Sequence, residues 1–120
     1  MLIDLPNVTA SPSSQIAYFG DSLVTIKCNV LSSQETEAVG WRKVSLDGKT
    51  TTVIENGFNK YYTGNSTTSK ELNITNIDFN DDANYVCFAK NAVGTGISNN
   101  ARVDVKGSKL ICLSCLWLKL

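Results

Sequence analysis

Two cysteines at corresponding positions of predicted strands constrain the fold of this chain more than any other feature. Val24 and Ile26 alternate with polar residues up to Cys28, and the residues around Cys87 show the same period of two. Because alternate side chains of a β-strand face the same side, both cysteines are predicted to point into the core. Trp41 lies between them in the chain. This arrangement is typical of two antiparallel sheets joined by one disulfide, with an indole packed against it.

Short alternating stretches separated by turn residues continue as far as residue 106. Val39 and Trp41 mark one strand, and Asp47-Gly48 predicts a hairpin that returns through residues 50–54. Later alternating stretches contain Leu72 and Ile74, Tyr85 and Cys87, and Val103 and Val105. No stretch repeats apolar residues at helical spacing. The pattern therefore predicts an all-β antiparallel sandwich or barrel with no long helix.

The composition fits one soluble globular domain and argues against several functions. The chain has 120 residues, of which 42% are hydrophobic and 18% are charged. Eleven basic residues balance eleven acidic ones, so no general attraction to nucleic acid or to an anionic membrane is expected. Histidine is absent, which removes the commonest general base and the commonest transition-metal ligand. We predict no enzyme activity, no catalytic residue, no metal site and no cofactor.

The glycines near the end of the predicted sandwich do not form a phosphate-binding loop. Gly94-Thr95-Gly96 follows the strand of Cys87 directly, in a segment that reads as a hairpin turn. Both glycines are expected to serve the backbone angles of that turn.

A longer motif surrounds the second cysteine and identifies a family. It consists of Leu72-Asn-Ile74, then Asp81-Asp-Ala83-Asn-Tyr85-Val-Cys87-Phe-Ala89-Lys-Asn91, then Gly94. The chain thereby resembles the intermediate set of the immunoglobulin superfamily over about residues 6–106. Ala83 stands where that set usually has glycine. The resemblance implies a Greek-key immunoglobulin-like β-sandwich made of two antiparallel sheets.

The resemblance also implies roles for individual residues. Pro12 is expected at a kink between the two halves of the first strand. The core signature of the family comprises Trp41, Leu72, Asp81 and Tyr85. The hydroxyl of Tyr85 is expected to bond to the backbone of the corner that precedes its strand, where Asp81 lies.

The resemblance, together with the strand phase, favours a disulfide between Cys28 and Cys87 over two buried thiols. A bond that closes a loop of this length stabilises a domain by about 4 kcal/mol in the chain-entropy model. Such a bond points to an oxidising compartment.

Three sequons for N-linked glycosylation start at Asn7, Asn65 and Asn73. The chain is rich in asparagine, serine and threonine, so sequons are also expected by chance and indicate secretion only weakly. Asn73 has the outward strand phase beside inward Leu72 and Ile74, which leaves room for a glycan.

Two further clusters have alternative interpretations. Asp78, Asp81 and Asp82 resemble a calcium site by composition, but a polar turn in which Asp81 caps the turn or pairs with Lys60 is favoured. The Cys112-x-x-Cys115 pair lacks the βαβ context of a redox motif and the two further ligands of a zinc site. It is interpreted as part of an appended tail.

The same alternation predicts a candidate partner-binding face. Val86, Phe88 and Lys90 point outward if Tyr85 and Cys87 point inward, and the outward arginines of neighbouring strands are Arg42 and Arg102. An apolar centre with a charged rim is typical of a protein-binding hot spot. The alternative is that Phe88 is covered within the domain by the stem of Arg42.

The family resemblance implies an extracellular or cell-surface protein-recognition module of a cell-adhesion, immune-recognition or matrix protein. Its partner is expected to be a protein, which is bound homophilically or heterophilically. A weak homodimer is one expected form of homophilic binding. The alternative is a structural spacer of an intracellular muscle filament protein, in which the cysteines are reduced.

Residues 1–106 are predicted to form the domain, and residues 107–120 an apolar C-terminal tail outside it. The run from Leu110 to Leu118 is less than half the length of about 20 residues that a bilayer-spanning helix needs. No membrane insertion by this chain is therefore expected. The amino-terminal residues lack the basic start and the apolar stretch of a signal peptide.

Deleting residues 110–120 is expected to leave the melting temperature nearly unchanged and to improve solubility, because the tail contributes no alternating strand to the core. Thermal unfolding followed by circular dichroism, for the full and the shortened chain side by side, measures this. A drop of many degrees on deletion would show that the tail is part of the core.

Overall fold

The computed structural model describes residues 4–55, 57, 60–63 and 69–107 of the protein, and these residues are almost entirely β-strand and turn. The strands are β1 (Asn7–Ser11), β2 (Ser14–Tyr18), β3 (Leu23–Leu31), β4 (Ala38–Val44), β5 (Thr51–Ile54), β6 (Tyr61–Thr63), β7 (Ser69–Thr75), β8 (Ala83–Lys90), β9 (Thr95–Ile97) and β10 (Ala101–Lys106). The one helical element of the described part is a short 3₁₀ turn, Phe79–Asp81.

The strands form two sheets that face each other. The first sheet has the order β1-β3-β7-β6, and all of its pairs are antiparallel. The second sheet has the order β2-β10-β8-β4-β5, and β9 pairs with β8 as well. Only the β10–β2 pair is parallel among the described strands. The prediction of an immunoglobulin-like two-sheet sandwich is confirmed.

The first strand is divided between the two sheets at Pro12. β1 pairs with β3 in the first sheet, whereas β2 pairs with β10 in the second. Proline cannot donate to a β-ladder, so the chain leaves one sheet at this position and joins the other. The Ser11–Pro12 peptide bond is cis. The kink that the family resemblance implied at Pro12 is confirmed.

The core consists of the alternate residues that each sheet turns toward the other. Cys28 on β3 and Cys87 on β8 form a disulfide across the sandwich, with their Cα atoms 6.0 Å apart. Trp41 is fully buried and stands opposite Cys87 in the β4–β8 register. Its indole is held by packing, because Nε1 has no hydrogen-bond partner among the described residues. The remaining fully buried large apolar residues include Ile26, Leu72, Ile74, Ile77 and Val103.

The predicted turns are present, but the two glycines near residue 95 have different roles. Gly94 has a φ of 156° and closes a turn in which the Asn91 amide donates to its carbonyl over 2.9 Å. Gly96 lies within β9, and a Cβ atom built on it would lie 2.1 Å from the carbonyl oxygen of Pro6. The expectation that Gly96 serves the turn angles is wrong, because close approach of the Pro6 backbone requires it.

The described ranges contain no helix long and apolar enough to cross a membrane. β10 ends at Lys106. The predicted tail beyond Gly107, including Cys112 and Cys115, lies outside the described residues.

Gly96→Ala is expected to destabilise the domain by about 1–3 kcal/mol, the usual cost of overpacking a tightly packed site. The backbone of residue 6 has to move before the added methyl group fits. Urea unfolding of the variant and the wild type measures the difference. Gly107→Ala is the matched control, because a Cβ atom there meets nothing within 4 Å. Equal unfolding midpoints for Gly96→Ala and the wild type would contradict this close contact.

Candidate protein-binding face

The three strands that were predicted to carry the face are neighbours in the second sheet, in the order β10-β8-β4. Phe88 on β8 stands between Gly40 on β4 and Ile97 on β9 in the register. Arg42 stands between Val86 on one side and Val53 of β5 on the other. The outer face of this sheet therefore carries a continuous row of side chains across β9, β8, β4 and β5.

The ring of Phe88 lies across Gly40 and under Arg42. A Cβ atom built on Gly40 would lie 2.5 Å from Cζ of Phe88, so glycine leaves the space that the ring occupies. The guanidinium carbon of Arg42 lies 4.6 Å from the ring centroid. A cation–π contact of this kind contributes about 0.5–1 kcal/mol at an exposed site. Arg42 therefore lies over the ring as the alternative expected, but Phe88 is only half-buried and stays partly open to a partner.

Val86 does not offer a contact surface, although it points to the outer side. Only 7% of the residue is exposed. The longer side chain of Arg42 stands directly opposite it in the register, and Phe88 follows it on the same face. The prediction of Val86 as a partner-binding residue is therefore wrong.

Ile97 and Val53 extend the face, although neither was predicted to belong to it. Ile97 is 56% exposed and Val53 is 53% exposed. They flank the pair of Phe88 and Arg42 at the two ends of the row. The position of Val53 could have been inferred from the sequence, because its strand was predicted to return beside Trp41 and Val53 has the outward phase in that strand. No local signal places Ile97 beside Phe88.

The charged residues of the predicted rim differ in whether contacts within the domain already occupy them. Lys90 is exposed and lies 3.7 Å from Glu37, also exposed, so this ion pair is weak. Arg102 is instead engaged within the domain. It lies 2.6 Å from the carboxylate of Asp82 and donates to the carbonyls of Ala83 and Val103. Arg102 therefore ties β10 to the start of β8 and is not a free partner-binding group.

The corner before β8 is built on Tyr85 and Asp81. The buried hydroxyl of Tyr85 donates to the carbonyl oxygen of Asp81 over 2.8 Å, as predicted. The carboxylate of Asp81 is fully buried and accepts from Lys60 over 2.6 Å and from the hydroxyl of Tyr61 over 3.0 Å. It also accepts from the Asp78 amide, which completes a capping box around the 3₁₀ turn. Asp81 therefore both caps the turn and pairs with Lys60.

Charge compensation at this corner shifts the pKa values of two groups. Burial lowers the pKa of Lys60, but the hydrogen bonds to Asp81 and Asp78 outweigh it and the net shift is upward. The hydrogen bond from Lys60 lowers the pKa of Asp78. The oxygens of Asp78 and Asp81 thus face a cation of the protein itself, and Asp82 faces Arg102. Within the described ranges no group of three or more possible metal ligands is assembled.

The two sequons that start at described asparagines fall on the opposite side of the molecule. Asn7 is exposed on β1 and Asn73 is half-buried on β7, so both belong to the first sheet. Asn73 has the predicted outward phase, between buried Leu72 and Ile74. Asn65 lies outside the described residues.

Tyr85→Phe is expected to lower the free energy of unfolding by about 1 kcal/mol, the net worth of one hydrogen bond. Burial raises the pKa of Tyr85 and of Tyr61 above the ordinary value of 10.0. Below pH 10 both states keep these protons, whereas above it the unfolded state loses them first. Stability should then fall by up to about 1.4 kcal/mol per pH unit for each tyrosine, and Tyr85→Phe should reduce this slope.

Urea unfolding of wild type and Tyr85→Phe between pH 7 and pH 11 measures both effects. Identical stability of the two proteins at pH 7 would argue against the corner hydrogen bond. Identical slopes above pH 10 would argue against the burial of the phenol.

The comparisons with known proteins agree with this geometry. A family model of the immunoglobulin domain matches residues 6–91, more than half of the chain. No curated protein matches the chain at a significant level. Domains of this family are generally non-enzymatic and mediate protein–protein interactions, and a disulfide within the fold is typical of extracellular members. By this match and by its two-sheet fold with a Cys28–Cys87 disulfide, the chain belongs to the immunoglobulin domain family.

Proposed function

We propose that residues 1–106 form an extracellular protein-recognition module of a cell-adhesion, immune-recognition or matrix protein, and that it has no catalytic role. The module binds its partner through the row formed by Ile97, Phe88, Arg42 and Val53, with Lys90 at its rim. Residues 107–120 lie outside the module. The division of the first strand at Pro12 supports the intermediate set as its subtype.

The row itself is the observation that carries this proposal. Its two ends are isoleucine and valine side chains that are each more than half exposed. Its centre joins an aromatic ring to a guanidinium group, the two chemistries that are enriched at binding hot spots. Phe88 is already fixed between Gly40 and Arg42, so little side-chain entropy is lost when a partner covers it. A half-buried ring that is fixed in this way can still contact a partner at the centre of the binding face.

The disulfide supports the extracellular location over the intracellular alternative. Structural disulfides persist in oxidising compartments, whereas a spacer domain in a muscle filament would keep both thiols reduced. The non-catalytic role is supported by the lack of histidine and by the engagement of the buried carboxylate Asp81 with Lys60.

Ile97→Ser is expected to weaken partner binding about tenfold or more while leaving the melting temperature within a few degrees of the wild type. Ile16→Ser is the matched control. Ile16 is 58% exposed against 56% for Ile97, and it lies on the outer side of the same sheet, on β2. The oxidised domain, tetramerised through a C-terminal tag, is titrated on a panel of cell lines by flow cytometry. The panel includes cells that display the domain itself, which tests homophilic binding.

Binding that is lost after protease treatment of the cells, lost in Ile97→Ser and kept in Ile16→Ser would support the proposed face. Equal weakening by the two substitutions would place the binding site elsewhere on the sheet. Absence of protein-dependent binding to every cell line, including the self-displaying one, would argue against an adhesion module.

A further inference from the structure

Among the residues whose side chains the structure describes, the outer face of the first sheet is polar except at two positions. On β3 the outward residues between its ends are Thr25, Lys27 and Asn29. The two ends are leucines, of which Leu31 is 73% exposed and Leu23 is 55% exposed. No other large apolar side chain of this sheet is exposed among the described residues. Single exposed apolar residues are common on protein surfaces, so their neighbours decide whether these two have a role.

The first sequon lies directly beside Leu31. Asn7 on β1 is the register partner of Leu31, so their Cβ atoms are separated by about 4.5–5.5 Å. Asn7 and Thr9, the first and third residues of the sequon, are both exposed on the outer face of β1. Buried Val8 between them anchors the strand in the core. The amide of Asn7 therefore projects beside the more exposed of the two leucines.

The second sequon lies beside Leu23. Asn73 on β7 pairs with Thr25 on β3, and Leu23 precedes Thr25 by two residues on the same face. This places Leu23 diagonally opposite Asn73, at about 7–8 Å. The hydroxyl of Thr25 donates to Oδ1 of Asn73 over 2.7 Å. Glycosylation takes place at Nδ2 and leaves Oδ1 as an acceptor, so this hydrogen bond is compatible with a glycan on Asn73.

We propose that Asn7 and Asn73 carry N-linked glycans whose first sugar residues cover Leu31 and Leu23. The first sheet thereby becomes a shielded face, and access of protein partners is confined to the second sheet. This inference rests on the proposed function in one respect, passage of the chain through the secretory pathway.

The covalent step needs one co-reactant, a polyisoprenyl-diphosphate-linked oligosaccharide of the secretory pathway. The amide nitrogen Nδ2 attacks the anomeric carbon of the first sugar. The new bond joins Nδ2 to that carbon, the bond from the carbon to the diphosphate oxygen breaks, and the polyisoprenyl diphosphate leaves. The displaced amide proton passes to solvent, and no oxidation or reduction takes place.

A glycan is chemically compatible both with an exposed leucine side chain and with the surrounding water. A sugar ring presents C–H groups on its flat side and hydroxyl groups at its edge, so it covers a leucine while its outer surface stays hydrated. N-linked glycans are bulky and solubilising. Exposed apolar side chains left uncovered favour association between molecules. The described part of the second sheet contains no sequon, so its row of binding residues stays open.

The test secretes the domain from a eukaryotic cell line with an added signal peptide, in an Asn65→Gln background that removes the third sequon. Intact mass before and after enzymatic removal of N-linked glycans counts the glycans, and peptide mapping assigns them. Two glycans are expected, one on Asn7 and one on Asn73. Thr9→Ala should lose the first glycan and Thr9→Ser should keep it. Asn73→Asp should lose the second while keeping an acceptor oxygen for Thr25.

Shielding is measured by the fluorescence of a dye that binds exposed apolar surface. Loss of the Asn7 glycan in Thr9→Ala should raise the fluorescence, and adding Leu31→Ser should abolish that rise while Leu23→Ser should not. The reciprocal pattern is expected for Asn73→Asp. Enzymatic removal of both glycans from the folded Asn65→Gln protein should give the sum of the two rises, without any substitution at the sequons.

Asn7 or Asn73 without a glycan in the secreted protein would overturn the proposal. The proposal would also be overturned if both residues carry glycans but the fluorescence rise after loss of a glycan does not depend on the leucine beside that sequon. Neither result bears on the binding face, because the comparison of Ile97→Ser with Ile16→Ser is made on the second sheet and also succeeds with unglycosylated domain. Conversely, the glycan measurements do not depend on partner binding, so they can still be interpreted if the proposed binding face is wrong.

Discussion

The disulfide between Cys28 and Cys87 is the constraint on which the rest of the sandwich depends. It joins β3 of the first sheet to β8 of the second, and both strands lie inside their sheets rather than at an edge. Once Cys87 is fixed in the core, the alternation of β8 sets the direction of every neighbouring side chain. Tyr85 then points inward to the corner, and Phe88 points outward to the candidate binding face.

A second constraint is the buried carboxylate of Asp81, which lies in the 3₁₀ turn before β8. An unpaired charge in this position would be strongly destabilising, but the ammonium group of Lys60, the hydroxyl of Tyr61 and a backbone amide satisfy its oxygens. The backbone carbonyl of the same residue accepts from Tyr85. One residue thus connects the 3₁₀ turn, the segment leading into β6 and β8, the strand that carries the proposed binding face.

The two sheets differ in the chemistry of their outer faces, and this difference links the two proposals. The second sheet presents a continuous row of apolar and aromatic side chains and the Arg42 guanidinium, which ends at Ile97 and Val53. The first sheet presents mainly hydroxyl, amide and charged groups, with a sequon asparagine beside each of its exposed leucines. A domain whose sheets are used in this way binds a partner with one face and is kept soluble by the other.

The two halves of the first strand, the disulfide and the Tyr85 corner followed from the family resemblance together with strand phase, and β6 and β9 were not predicted. The sequence by itself determined the burial of Trp41 and the strands β3, β4, β5, β7, β8 and β10, because these follow from local alternation. It did not determine which outward residues are accessible. Val86 is buried, Arg102 is engaged with Asp82, and Ile97 joins the face. These outcomes, like the contact of Gly96 with the Pro6 backbone, depend on which distant strands become neighbours and in what register. Strand alternation defines only the side to which a residue points, whereas tertiary packing decides what stands beside it and covers it.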